Sequence, residues 1–170
     1  TASEPMSPPG KKRGLITKES VEKARRAFST WSTAPSCSIS SAGLAKAGAN
    51  VAVVDNNVEN ARMRASAIAQ LGRQSTAIQC DATSKAQLEA ARDRVLTEFG
   101  QVDVLINAAG INSATPFFDI TEAEWQRILD VDLKSVFFAC QVFGKWMVAR
   151  GKGSIINISS VSSYGSVPML

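Results

Sequence analysis

Three short apolar runs in this chain close on residues with hydrogen-bonding side chains. Val51-Ala52-Val53-Val54 closes on Asp55, Ala77-Ile78-Gln79-Cys80 on Asp81, and Val102 to Ile106 on Asn107-Ala108-Ala109-Gly110. A fourth run, Ser154 to Ile158, is followed by Ser159-Ser160. A carboxylate at the end of a strand can accept hydrogen bonds from ribose hydroxyls, and its charge repels a 2′-phosphate. Asp55 fits that position, although an aspartate after an apolar run is by itself an ordinary turn residue. The chain has no histidine. Histidine metal sites and Ser-His or Cys-His catalysis are thereby excluded.

The elements that must hold these residues alternate between strand and helix. The apolar runs read as buried strands; helices are expected over Val58 to Gln70, capped by Asn57 and burying Ala61, Ala65, Ile68 and Ala69, and over Lys85 to Phe99, burying Leu88, Ala91, Val95 and Phe99. Such alternation predicts a parallel sheet with helices on its faces and ligands at the carboxyl ends of the strands. Beyond Gly110, Ile111 to Asp119 is a loop in the position that commonly lines a substrate pocket. Thr121 and Glu124 form a capping box opening one long helix, with Trp125, Ile128, Leu133, Val136, Phe137, Cys140, Phe143 and Met147 as its apolar coverage. Upstream, the spacing of Val21, Ala24, Phe28 and Trp31 predicts an amphipathic helix over Lys18 to Trp31, and a small-residue helix is expected over Ala42 to Ala49. A first strand is hard to find, because Ala27 to Ser32 offers only Phe28 and Trp31 as large apolar residues.

With 170 residues, 45% of them hydrophobic and 20% charged, the chain fits one domain. No apolar stretch approaches the length of a membrane span, so a soluble, cytoplasmic protein without membrane partners is expected. The net charge of +4 is uneven: residues 1–50 carry eight Lys or Arg against three Glu. That basic, Ser-rich segment has two readings, a tail or a mitochondrial presequence, the second weakened by Glu4, Glu19 and Glu22. No nucleic-acid partner is expected, since the basic residues are not interleaved with aromatics along one face. Cys37, Cys80 and Cys140 show no paired spacing and read as structural.

Taken in order and spacing, Asp55, the segment Cys80-Asp81-Ala82-Thr83, V-D-V-L-I-N-A-A-G over 102–110 and G-S-I-I-N-I-S-S over 153–160 resemble the short-chain dehydrogenase/reductase family. The resemblance covers residues 42–170, leaving 1–41 as a basic tail, a short helix and a degraded cofactor turn. It implies a Rossmann-like, doubly wound α/β domain, incomplete at its C-terminal end and without a clear first strand. It also implies NAD, rather than NADP, as cofactor, an alcohol or ketone substrate, and a homo-oligomer formed through the 125–147 helix. The cofactor-binding residues it implies are Thr33, Ile39, Asp55, Asp81, Ala82, Asn107, Ala109 and Gly110. Within that set Asp55 selects NAD, Asp81 meets the adenine, Asn107 holds the central sheet together, and Gly110 lets backbone approach the cofactor. On the catalytic side it implies Ser160, which hydrogen-bonds the substrate oxygen, and Asp132 at the place of the family's helix asparagine.

Three departures from the family pattern bear on function. The turn T-G-x-x-x-G-x-G has as its best counterpart Thr33-Ala34-Pro35-Ser36-Cys37-Ser38-Ile39-Ser40, without a glycine. Asp132 replaces an amide, which donates and accepts, by a carboxylate, which when ionised only accepts. No Tyr-x-x-x-Lys follows Ser160 within the 170 residues, since Tyr164 is followed four residues on by Pro168. The expected function is therefore an NAD-dependent oxidoreductase whose 170 residues alone are inactive. The rival expectation is a non-catalytic truncated product or pseudo-enzyme acting as an interaction partner.

Overall fold

The computed structural model describes residues 26–30 and 35–160, with side chains from Ser41 onward. Five strands form one parallel sheet in the order β3-β2-β1-β4-β5: β1 Arg26–Thr30, β2 Asn50–Asp55, β3 Ser75–Gln79, β4 Val104–Asn107 and β5 Ser154–Asn157. The helices are α1 Pro35–Lys46, α2 Val58–Ala69, α3 Lys85–Phe99, α4 Glu122–Leu129 and α5 Ser135–Ala149. The chain runs outward from β1 to β3, then returns past β1 to lay down β4 and β5. The strand order thus reverses between β1 and β4, the switch point at which doubly wound sheets bind ligands.

Alternation along β2 divides the core between the two faces. Val51 and Val53 pack with Ala61, Ala65 and Ile68 of α2 and with Val104 and Ile106. Ala52 and Val54 pack instead with Leu88, Ala91, Val95 and Phe99 of α3, with Leu105, and with Ala139, Val142, Phe143 and Met147 of α5. The expected stripe of α3 is buried in full. On α2, Ala69 is exposed rather than buried, because it is the helix's last residue and lies past the sheet. Asn57 caps α2 as expected, its side chain accepting from the Glu59 and Asn60 amides. Gly100 ends α3 in the left-handed conformation, φ 75°.

Two expectations are corrected. Arg26–Thr30, placed by its spacing inside a helix ending at Trp31, is instead the central strand, paired to β2 on one side and β4 on the other. Two ladders of backbone hydrogen bonds outweigh a weak helical periodicity. Residues 18–25 and Trp31 lie outside the described residues. The small-residue helix starts at Pro35, not Ala42, and stops at Lys46, where Gly48 at φ 98° turns the chain into β2. Pro35 suits a first helical position, having no amide hydrogen to leave unpaired. Most of α1 and all of β1 precede residue 42 and belong to the same fold. The expected long helical stretch runs unbroken from Glu122 to Ala149, with a π-helical turn, Asp130–Lys134, joining α4 to α5. The Ser135 amide donates to Asp130 O, five residues back.

At the amino end of β4 the Asp103 carboxylate is buried. Its Oδ2 accepts from Gln101 Nε2 at 2.9 Å, and its Oδ1 faces Arg150 Nη1 at 3.6 Å. Arg150 also donates to Val102 O and Gln101 Oε1 and stacks over Trp146, tying the end of α5 to the start of β4. Among the described residues no helix is long and apolar enough to cross a membrane. Arg150→Met, which keeps the stem over Trp146 but strands a buried carboxylate, should lower stability by roughly 2–3 kcal/mol. Urea unfolding of the variant against the parent chain measures this; an unchanged midpoint would show that Arg150 does not compensate Asp103.

Candidate functional site

The carboxyl ends of the strands assemble the residues singled out from the sequence into two groups. The first joins β2 and β3. Asp55 ends β2 with its side chain buried, and its Oδ1 accepts from the Asn57 amide at 2.9 Å. That bond fixes the carboxylate at the turn into α2. The Cys80 amide donates to Asp55 O at 3.1 Å, so the two strand ends are fastened together.

Asp81 follows, exposed, with Oδ1 accepting from the Thr83 amide at 2.9 Å and the Thr83 hydroxyl at 2.8 Å, while its own amide donates to Gln87 Oε1. Ala82 is buried beneath it. Burial pushes the Cys80 thiol up to about 12, with the neighbouring Asp81 charge adding to the effect. A thiol so held is protonated at neutral pH and inert as a nucleophile, in keeping with a structural cysteine.

The second group spans β4, β5 and the π turn. Asn107 is buried and lies opposite Asn157 in the register of β4 and β5. Its Nδ2 donates to Asn157 Oδ1 at 2.8 Å and approaches Cys140 Sγ of α5 at 3.5 Å. The backbone continues the link, since the Ile158 amide donates to Asn107 O at 2.8 Å. Asn157 was not singled out from the sequence, although its place at the end of a parallel strand, like that of Asn107, is a signal that could have found it.

Beyond Asn107 the chain leaves the sheet through Ala109 and Gly110. The Ile111 amide donates to Asp132 Oδ1 at 2.8 Å. A carboxylate is suited to this bond, which asks the side chain only to accept. A Cβ at Gly110 would meet only that same Oδ1, at an ordinary 3.9 Å. The protein's own packing therefore does not require glycine there, and the open space admits a close approach of a bound group to the backbone.

Of the remaining residues, Ser160 is exposed, three residues past β5. Ile39 lies within α1, and Thr33 and Tyr164 fall outside the described residues. The expected capping box is present by half: the Glu124 amide donates to Thr121 Oγ1 at 3.2 Å, but the Glu124 carboxylate turns to Ser113 and Thr115 instead of the cap.

In their chemistry the carboxylate acceptors of Asp55 and Asp81 and the open backbone at Gly110 are compatible with a nicotinamide dinucleotide at this rim. The fit is poorest at the pyrophosphate position. There α1 already runs from Pro35 through Ser40, so six of the eight residues matched to the glycine-rich turn are helical.

Residues 39–170 match the family model described as short chain dehydrogenase. The chain is 38% identical over 116 residues to D-threitol dehydrogenase of Mycolicibacterium smegmatis, covering 66% of this chain and 44% of that protein. It is 35% identical over 121 residues to 5-keto-D-gluconate 5-reductase of Escherichia coli, covering 71% and 48%. The chain thus spans about half the length of the curated relatives it matches. Among solved structures, an NAD+-bound xylitol dehydrogenase shares the fold with a TM-score of 0.80 at 23% identity, over 85% of this chain and 56% of that one. A metagenomic short-chain oxidoreductase in complex with NADP is similar at a TM-score of 0.77 and 28% identity, over 85% and 66%.

The Asn107 bridge makes a measurable prediction. Asn107→Ala removes a buried donor to the solvent-exposed Asn157 side chain and should cost about 1 kcal/mol of stability, read from chemical unfolding. A loss within experimental error would mean that the β4–β5 junction does not rely on the side-chain pair.

Proposed function

This chain belongs to the short-chain dehydrogenase/reductase family, and from that premise we propose that it is the cofactor-binding part of an NAD-dependent oxidoreductase acting on an alcohol or ketone. The observation that carries the reading is Asp55: a carboxylate held at the carboxyl end of β2 by the Asn57 amide through Oδ1, next to the strand-order reversal. Its remaining oxygen is an acceptor for ribose hydroxyls, and its charge disfavours a 2′-phosphate. Asp81 accepts from the adenine side, Asn107 keeps the β4–β5 rim closed, and Gly110 leaves room for the cofactor. When bound, the nicotinamide exchanges a hydride with a carbinol carbon. Ser160 orients the substrate oxygen by a hydrogen bond. Asp132 holds the backbone at Ile111 through its carboxylate.

What these residues do not supply is the proton exchange that accompanies hydride transfer. Within the 170 residues no Tyr-x-x-x-Lys pair follows Ser160. Positioned acid–base catalysis is typically worth about 10²–10⁴-fold in rate. The 170 residues purified alone therefore do not turn over substrate, and the turn without glycine over residues 33–40 makes their dinucleotide binding weak. Substrates of the relatives, threitol and a keto-gluconate, make a polyol or sugar-acid ketone the first class to test.

Calorimetric titration of the chain with NAD and NADP should show NAD binding more tightly, and Asp55→Ala should reduce the preference by about tenfold, near 1.4 kcal/mol. Tighter NADP binding would overturn the cofactor assignment. In the same preparation NADH absorbance over a panel of polyols and ketones should show no turnover above background; activity abolished by Ser160→Ala would mean that another residue supplies the proton.

A homo-oligomer is part of the same reading. Trp125, Leu133 and Phe137 are 58%, 64% and 56% exposed along α4, the π turn and α5, more apolar surface than a solvated helix presents. Sedimentation at micromolar concentration should give a dimer or larger species, reduced to monomer by Phe137→Glu with an unchanged circular dichroism spectrum. A folded parent chain sedimenting only as monomer would refute it.

A further inference from the structure

The loop from Ile111 to Asp119 leaves the carboxyl end of β4 and is fastened at several points to the helical segment that follows it. Its first amide, at Ile111, donates to Asp132. In its middle, the hydroxyls of Ser113 and Thr115 both donate to Glu124 Oε1, at 2.5 Å and 3.0 Å, and the Thr115 amide donates to Ser113 Oγ at 2.9 Å. Near its end, the Asp119 amide donates to Pro116 O at 2.9 Å, closing a 3-10 turn over Phe117–Asp119. Glu124 therefore has two separate attachments: its amide is capped by Thr121, and its carboxylate reaches backward along the chain to the loop.

A glutamate in the first turn of a helix ordinarily serves that helix, through the capping box or the helix dipole. Here Thr121 Oγ1 accepts from the Glu124 amide, but the Glu124 carboxylate is taken up by the loop. The Ser113 hydroxyl first, then Thr115, hold the Glu124 carboxyl below the usual carboxylate range, with the Arg127 charge adding to the effect. The group is thus ionised at neutral pH, the form that accepts both hydroxyls. Phe117 and Phe118, the two rings carried by the loop, are 65% and 95% exposed and meet edge to face with centroids 5.4 Å apart.

We propose that Glu124 is the positioning residue of the 111–119 loop: acting through Ser113 and Thr115, it holds the loop on the first turn of α4 and so fixes where Phe117 and Phe118 stand beside the carboxyl-end rim. On the oxidoreductase reading above, on which this rests, that is the substrate side. The two rings are then a wall that the apolar edge of a substrate meets, set in place before substrate arrives. Glu124 is not in contact with the cofactor residues and is not part of the proton exchange.

Hydrogen–deuterium exchange by mass spectrometry on the 170-residue chain tests this with Glu124→Ala, Glu124→Gln and the double variant Ser113→Ala/Thr115→Val. Glu124→Ala should speed amide exchange within 111–119 at least tenfold while leaving β2, β4 and α3 unchanged. Glu124→Gln, which keeps an acceptor oxygen without the charge, should restore part of the protection. The double variant should match Glu124→Ala, and combining all three changes should add nothing further, as for groups acting through one interaction.

Faster exchange confined to α4, or full additivity of the Glu124 and Ser113/Thr115 changes, would overturn the proposal and return Glu124 to a helix-terminal role. If Glu124→Ala unfolds the chain, seen as faster exchange everywhere, the double variant decides alone: protection lost within 111–119 supports the proposal and protection kept there refutes it. The NAD titration of the parent chain separates the two readings. Absence of any NAD binding sinks the oxidoreductase reading, whereas the exchange result stands or falls on the loop itself.

Discussion

Strand β1 is hydrogen-bonded on both sides, to β2 along Arg26–Thr30 and to β4 along Ala27–Thr30. Remove it and the sheet falls into two two-stranded pieces, each with an exposed polar backbone edge. Parallel strands gain nothing from local turns, so every one of these pairings is closed by a crossover that must carry its own helix. The burial of Val51 and Val53 on one face and Ala52 and Val54 on the other follows from that arrangement, because β2 is covered by α1 and α2 on one side and by α3 on the other. The switch point follows too. It exists only because the chain returns to the far side of β1 after β3, and that return places Asp55 and Asn107 on opposite sides of one strand.

The rim is organised by side chains that tie down backbone rather than by side chains that point into an empty pocket. Asp55 holds the turn into α2, Asp81 its own following turn and Asp132 the exit from β4, each pairing a backbone amide at a strand end or helix break, while Asn107 reaches the Asn157 side chain at the end of β5. Chemistry at such a rim is possible because the scaffold has already satisfied itself there. A carboxylate with one oxygen engaged is oriented and still has the other to offer.

Much of this was legible in the residues. The helix over Lys85–Phe99 and its buried stripe follow from Leu88, Ala91, Val95 and Phe99 at helical spacing, with Gly100 after; the Ser84 cap is seen only in the structure. The rim residues follow from apolar runs that stop on polar ones, and the family from four such stops in order. What could not be read has a common physical cause: it depends on partners distant in sequence. Phe28 sits in a strand because β2 and β4 flank it, though its own neighbours are spaced as in a helix. Asn157 matters because the register sets it opposite Asn107. The Glu124 carboxylate was assigned to its own helix cap, and only the course of the loop shows that Ser113 and Thr115 claim it.

The π turn between α4 and α5 has a consequence for which lengths this chain tolerates. A helical residue advances the side-chain direction by about 100°, and a π turn winds less tightly, so it takes up one extra residue and returns the helix to nearly the same phase. Ala139, Val142, Phe143 and Met147 therefore face the sheet much as they would after an unbroken α-helix. The surplus residue is spent at the turn itself, where Asp132 reaches the Ile111 amide. Deleting one residue between Asp130 and Lys134 would leave a regular α-helix with the buried face of α5 in place, while the side chains of the turn would shift against the exit from β4, so the length of this segment is set by the rim and not by the core.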